Sequence, residues 1–465
     1  MPAGDPLSLR ETLGSGPIHA ERILCGFEAR VRFADLLNGS TLQAPLAELS
    51  GCSVLLRTKD HFATALALVQ LDGAAERIVV APSCLPPGHL PALIRDAEVD
   101  VLVTDSEEPE DFELARERRI RCSSTLVAVE KVPRARHRTE WLLLTSGTTG
   151  LPKMAVHDLA GLTGAIEGRT AYAPRLVWGT FYDIRRYGGL QIYLRALLGG
   201  GSLVLAGSGE PIPDFLKRLK ARRVTHLSGT PSHWRRVLMT PLNDLPDLRY
   251  ARLSGEIADQ ALLDSLKRNY PQAKIGHAYA STEAGVVFDV EDGLEGVPLD
   301  LIDKPHEGVE MKIVDGTLRV RSVRGALRYA GRDKPPLKDA DGFVDTGDVL
   351  RLANGRYHFL GRKGGIVNVG GLKVHPEEVE AIINRHPKVR MSLVRARKNP
   401  FTGSVVVADV LLNDKAGAST RAKDMEKEIL ELCRNALPEH KVPAVIRFVT
   451  NLEVAHSGKL VRHYA

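Results

Sequence analysis

Between Cys52 and Pro271, short apolar runs alternate with helical stretches, and this alternation constrains the fold more than any other feature. CSVLLR, VDVLVTD and GSLVLAGS are rich in Val and Leu and too short to be helices. HFATALALVQL, PDFLKRLKARRV and ALLDSLKRNYP carry helical patterns. Strand–helix alternation predicts parallel sheets with helices on both faces. From about Gly316 the texture changes to short strands: GTLRVRSV, FVDTGDVLRL and RYHFLG. Beyond Arg362 comes the glycine-rich KGGIVNVGGLKV, then a helix signal in HPEEVEAIINRHP, with Pro376 at its start and acids in its first turn. Two strands, a long helix and a last strand follow, which makes a small α+β unit of about a hundred residues.

A chain of 465 residues exceeds what one hydrophobic core organises, so two or three domains are expected. No run of eighteen apolar residues is present, which excludes a membrane-spanning helix. The start MPAGDPLSLRETLGSG lacks the basic and apolar regions of a signal peptide, and VRHYA carries no retention address. The five cysteines are scattered, with no CxxC pair, which fits reduced, buried thiols and a cytoplasmic protein. The net charge of +6 suits anionic small molecules such as nucleotides. Without a basic stripe interleaved with aromatics, it does not indicate nucleic acid.

The densest chemical signal is WLLLTSGTTGLPK, Trp141 to Lys153. A glycine-rich turn after a strand and before a helix aims several backbone N–H groups at one anion. The hydroxyls of Thr145, Ser146, Thr148 and Thr149 add donors, Gly147 and Gly150 let the backbone approach, and Lys153 adds a cation. It is not a Walker loop, because no GxxxxGKS or GxxxxGKT pattern occurs.

TSGTTGLPK resembles the signature loop of the adenylate-forming enzymes: acyl-CoA synthetases, peptide-synthetase adenylation domains and luciferases. Further motifs of that superfamily follow in order: YASTEAG (Tyr279 to Gly285), DTGD (Asp345 to Asp348), LGRKGGIVNVGGLKVHPEEVE (Leu360 to Glu380) and HSGKLVR (His456 to Arg462). Before Trp141 the likeness is one of texture. The resemblance implies an α/β protein. Its large N-terminal adenylation domain, residues 1–362, would hold parallel-rich sheets with flanking helices plus a β-barrel-like subdomain, followed by a small mobile α+β C-terminal domain, residues 363–465.

The resemblance implies site roles as well. Thr145 to Lys153 cradle the β- and γ-phosphates of ATP. Tyr279 lies against adenine, with Ala280 adding a methyl beside it, and Ser254, Gly255 and Glu256 pack on the other face. Thr282 bonds a phosphate oxygen, and Glu283 holds Mg²⁺. Asp348 accepts from the ribose hydroxyls, and Arg362 touches the ribose or phosphate edge. Lys459 is the expected catalytic cation, bridging carboxylate and α-phosphate during adenylation. Gly370 and Gly371 belong to a hairpin that admits a pantetheine arm after the small domain swings. The hinge falls at Gly364.

Where relatives carry an aromatic-His-x-x-Gly segment, this chain has TFYDIRRYGGLQ, Thr180 to Gln191, with no histidine. Asp183, Tyr187, Gly188 and, from another stretch, His233 are the candidate acid-binding residues. Asp183 either pairs with a substrate amine or caps the following helix. Arg185 and Arg186 read as solvated. His233 either borders the pocket or packs its helix. RARKNPFTG (Arg395 to Gly403) is either an acceptor-docking edge or a charged solvent edge. The leading expectation is an ATP-dependent carboxylate–CoA ligase acting on a small carboxylic acid, with ATP, Mg²⁺ and coenzyme A. The alternatives are an enzyme loading an acid or amino acid onto a carrier-protein phosphopantetheine, and a non-catalytic nucleotide-binding relative.

Overall fold

The computed structural model describes residues 8–15, 21–107, 118–129, 134–145, 151–166, 176–399, 403–413, 419–455 and 458–462. Two large sheets dominate it. One runs, in spatial order, Gly285–Val290, Lys274–Ser281, Tyr250–Ser254, His226–Gly229, Val177–Thr180, Ser202–Leu205, Ile23–Cys25 and Arg30–Arg32. Its interior pairs are parallel, and hairpins make both edges antiparallel. The other runs Arg328–Tyr329, Met154–His157, Glu140–Leu144, Arg77–Val80, Ser53–Leu56, Val101–Thr104, Arg119–Ala128 and Gly39–Leu42, again parallel inside and antiparallel at its ends. The apolar alternation therefore predicted the interior. In the first sheet the antiparallel edges come from strands too close in sequence for a helical crossover, whereas in the second Gly39–Leu42 and Arg328–Tyr329 are added from distant parts of the chain.

Two helices lie between these sheets. Every residue of His61–Leu71 after the first is buried. Tyr187–Leu198 joins it in one core with Val54, Ile78, Trp141 and Leu203. Such a helix is apolar all round because it meets a sheet on each side. Asp72, at its C-terminal end, accepts from the Leu9 N–H at 2.6 Å and the Trp141 indole at 2.9 Å, so the buried carboxyl is not left unpaired.

A third sheet, antiparallel and smaller, runs Val297–Pro298, Arg356–Arg362, Val344–Ala353, Thr317–Ser322 and Val309–Val314. It is the curled, half-barrel part of the fold. After Arg362, a turn at Lys363–Gly365 leads to the hairpin Val367–Val369 and Leu372–Val374. The last unit packs helices Pro376–Ile383 and Ser419–Ala436 on the strands Val389–Asn399, Gly403–Leu412 and Val445–Phe448. Its core is its own, built on Val379, Ile383, Val394, Val410 and Ile429. The cysteines are free and, apart from half-exposed Cys84, buried. Among the described residues, no helix is long and apolar enough to cross a membrane.

Candidate active site

The strands Glu140–Leu144 and Met154–His157 pair antiparallel, with Leu144 opposite Met154. The ladder extends one step further, since the Thr145 N–H donates to the Lys153 carbonyl at 2.9 Å. The described residues on either side of the hydroxyl- and glycine-rich stretch are therefore antiparallel strands and not a strand followed by a helix, and the next helix starts only at Leu159. This corrects the reading from composition, which cannot tell a hairpin loop from a helix-initiating one. Thr145 is buried at the root of the loop. Ser146, Gly147, Thr148, Thr149 and Gly150 lie outside the described residues. The Lys153 ammonium stands over the Tyr329 ring, 4.8 Å from its centroid. The Tyr329 hydroxyl lies 3.4 Å from Glu283 Oε1, and burial together with that carboxylate pushes the phenol up to about 12.

Glu283 sits in the turn joining the strands Lys274–Ser281 and Gly285–Val290. Beside it, the Thr282 carbonyl accepts from His157 Nε2 at 2.8 Å. Burial holds the His157 imidazole down to about 4, so it stays neutral and donates that bond. Tyr279 stacks on Phe288 at 5.5 Å and on Phe359 at 5.0 Å. Its hydroxyl donates to Asp348 Oδ2, and Arg362 Nε donates to Asp348 Oδ1 at 3.2 Å. Asp348 and Arg362 meet because they are direct partners across the ladder of the third sheet. Ala280 follows a bulge that shifts the register between Tyr279 and Ala280.

Lys459 reaches this cluster from the far end of the chain. Gly255, at φ +87°, lies under it: a Cβ there would stand 3.2 Å from Lys459 Cε. Burial and the neighbouring Arg362 guanidinium lower the ammonium's proton affinity, while Glu256 and Asp348 oppose them. The Ser254 carbonyl accepts from the Tyr182 hydroxyl at 2.7 Å. Lys459, Arg362, Asp348, Glu256 and Gly255 are thus brought together where the terminal segment meets the large domain. Gly370 and Gly371 do not join it. They cap their own hairpin, with nothing within 4 Å of the space a side chain would take.

The stretch Thr180 to Gln191 departs from expectation at Arg185. That guanidinium is buried, donating to Asp183 at 2.7 and 3.0 Å, to the Thr58 carbonyl and to the Lys59 carbonyl at 3.3 Å. A charge that satisfies several internal acceptors is structural, so Arg185 is not the solvated arginine expected from the sequence. Asp183 also takes the Arg185 N–H at 2.9 Å and lies 3.4 Å from His61 Nε2. These partners hold its carboxyl well below the usual range, against the desolvation that would raise it. The helix that follows, Tyr187–Leu198, starts at Arg186 without a side-chain cap, so Asp183 does not cap it but closes the turn before it, and the amine-pairing role competes with an ion pair already made.

Tyr187 is buried in the main core, 5.5 Å from the His157 ring, and Gly188 is exposed. His233 caps its own helix with Thr230 and stacks on Phe181 at 5.1 Å. Burial takes its imidazole down to about 3. Arg395 pairs with Asp409 at 2.6 Å, while residues 400–402 of the basic turn lie outside the described residues.

Residues 50–333 match the family described as AMP-binding enzyme, and residues 378–459 match the AMP-binding enzyme C-terminal domain. The chain belongs to the AMP-binding enzyme family. Its match begins well before Trp141, so the likeness that looked like texture upstream is family sequence too. This AMP-binding enzyme is 29% identical over 69% of its length to a probable non-canonical nonribosomal peptide synthetase, CymA, of Salinispora arenicola. It spans 4% of that synthetase, and 5% of tyrocidine synthase 3 of Brevibacillus parabrevis. It is 27% identical to the 2-succinylbenzoate–CoA ligase of Salmonella typhimurium, over 79% of this chain and 78% of that one. The crystal structure of the anthranilate CoA ligase AuaEII in complex with anthranoyl-AMP shares the fold, with TM-score 0.75, 19% identity, and coverage of 97% and 95% of the two chains. The chain thus belongs to the adenylate-forming superfamily by sequence and shares the fold of its solved members.

Three participants in this cleft escaped the sequence. Tyr329 carries the contact between Lys153 and Glu283, yet ALRYAG has no chemical signature. Thr230 announces only a helix start, as Thr followed by Pro231. Arg186 is half-buried, with a buried Nε that has no partner among the described residues and an NH2 group 3.7 Å from Cys84 Sγ. It lies close enough to Lys459 to lower that ammonium's proton affinity, so it is not the solvated arginine its composition suggested.

Proposed function

We propose that this chain joins a small carboxylic acid to AMP and passes the acyl group to the thiol of coenzyme A. In the first step a carboxylate oxygen bonds to the α-phosphorus of ATP, and the bond to the β-phosphate breaks, releasing pyrophosphate. In the second, the thiol sulfur bonds to the acyl carbon, AMP leaves, and the thiol proton is lost. The single observation that carries this reading is Lys459 laid over Gly255 beside Arg362 and Asp348. Two anions must approach in the first step, and a desolvated, positioned ammonium lowers that barrier.

The other assignments follow from the same cluster. Tyr279, with its aromatic neighbours, gives adenine a flat apolar wall. Asp348 offers a carboxylate to the ribose hydroxyls, and Arg362 a cation to the phosphate edge. Thr145 to Lys153 take the departing pyrophosphate. Among the described residues, no group of three or more His, Cys, Asp or Glu forms a metal cage. A Mg²⁺ held chiefly by phosphate oxygens and the Glu283 carboxylate fits that donor set. The ion would neutralise phosphate charge. We place the domain division at Arg362 and Lys363, with Gly364 in the hinge turn.

Carrier-protein loading is the second reading, favoured by the 29% identity to a peptide synthetase. Acid-dependent ATP–pyrophosphate exchange, run over aliphatic, aryl, dicarboxylic and amino acids, tests both readings. One acid class supporting exchange is the expected result, and no exchange with any of them would overturn the ligase reading. Thioester formation with coenzyme A against a phosphopantetheinylated carrier then separates the acceptors.

A further inference from the structure

One carboxylate, that of Glu256, joins two distant parts of the chain. Its Oε2 accepts from the Ser232 N–H at 2.9 Å, in the first turn of helix Pro231–Val237. Its Oε1 accepts from the Leu460 N–H at 2.9 Å. On the other side of Lys459, Thr230 Oγ1 donates to the Gly458 carbonyl at 2.6 Å. Gly458, at φ +76°, presses against His233, where a Cβ would fall 1.8 Å from His233 Cε1. Both neighbours of Lys459 are thus anchored on the same helix start. The likeness to relatives assigned Glu256 to an adenine-packing loop, but here its carboxylate is engaged by the terminal segment.

A hydrogen bond to a charged group is stronger than one between neutral groups, yet still modest in water. That is enough to bias a domain between two poses and small enough to be broken in every cycle. Without these anchors, a flexible four-carbon stem would carry its ammonium on an untethered strand, and loss of placement costs rate steeply. We propose that Glu256 is a positioning residue for adenylation: it latches Gly458–Arg462 onto the large domain, so that Lys459 is held over Gly255. Releasing this latch frees the small domain for the thiol step. The proposal rests on Lys459 serving adenylation.

The test uses the whole 465-residue chain carrying Glu256→Gln, which keeps the shape but turns one acceptor into a donor facing an N–H. Amide hydrogen exchange in the peptide covering 458–462 should quicken by about tenfold, with the large-domain core unchanged. Adenylation kcat should fall by about tenfold with KM for ATP steady, while thioester formation from synthetic acyl-adenylate is retained. Gly458→Ala, on the terminal segment and outside the large-domain core, should give the same split by collision with His233. Unchanged exchange at 458–462 in both variants, or equal loss of both half-reactions, would overturn the latch. If the wild type adenylates no acid, the ligase reading fails, and the hydrogen-exchange arm still decides whether the latch exists.

Discussion

The small domain shows two glycine-bearing edges in opposite conditions. At one, Gly458 and its neighbours are seated against His233, Thr230 and Glu256 of the large domain. At the other, Gly370 and Gly371 stand with open space where side chains would be. The hairpin packs on the core of the last unit and Leu460 packs against Met391 and Leu411 of the same unit, so a rigid rotation of that unit, as the proposed reaction needs, would exchange which edge is buried. We read the structure as the pose that serves the lysine, with the hairpin waiting. The difference teaches that a small set of polar contacts at one edge holds the arrangement, which is what a reversible domain motion requires.

The comparison breaks most completely if its two edges are separated by mutation. Lys459→Ala should lower acid-dependent pyrophosphate exchange by at least about a hundredfold. Thioester formation from preformed acyl-adenylate should largely survive, as read by single-turnover product formation, and equal loss of both steps would contradict the assignment. Gly371→Val should do the reverse: at φ +87° a β-branched side chain is strained and thickens the hairpin tip. Thioester formation should drop by about tenfold or more, with exchange kept.

Asp348→Asn sharpens the comparison at the cleft both edges serve. It weakens the partner shared by Tyr279 and Arg362 and should raise KM for ATP about tenfold, with a smaller change in kcat, measured by initial rates. The smallest effect is on pH-dependent stability. His157 is held near 4 and His233 near 3 in the folded protein, both below the unfolded value. Each contributes stability that is complete above about pH 6.5 and is lost as pH falls towards the folded value. Thermal denaturation from pH 7 to pH 4 should show a falling midpoint, and His157→Gln should flatten that acid limb. A midpoint insensitive to the substitution would remove His157 as a cause.

The interior of both sheets was legible, because a strand covered on two faces must be apolar along its whole length, as Ser53–Leu56 and Glu140–Leu144 nearly are. The small domain was legible for the same reason, its helix start marked by Pro376 and its acids. Edge pairing was not, since antiparallel partners such as Met154–His157 look no different from parallel ones in sequence. In the cleft, Asp348 and Arg362 could be named from their motifs, but Tyr329 and Arg186 could not. Their roles depend on what lies across from them.

The sequence by itself determined the chemistry class. A loop of hydroxyls, glycines and a lysine, a Thr-Glu pair, an aspartate and a terminal lysine stand in one order, and each is a local residue choice. The tertiary structure alone decided how they are used. It put Asp183 in an ion pair with Arg185, paired antiparallel the strands that flank the glycine-rich stretch, and gave the Glu256 carboxylate to Leu460, which lies 204 positions along the chain. The reason is physical: a side chain's type fixes which bonds it can make, and only folding fixes which partner comes within reach.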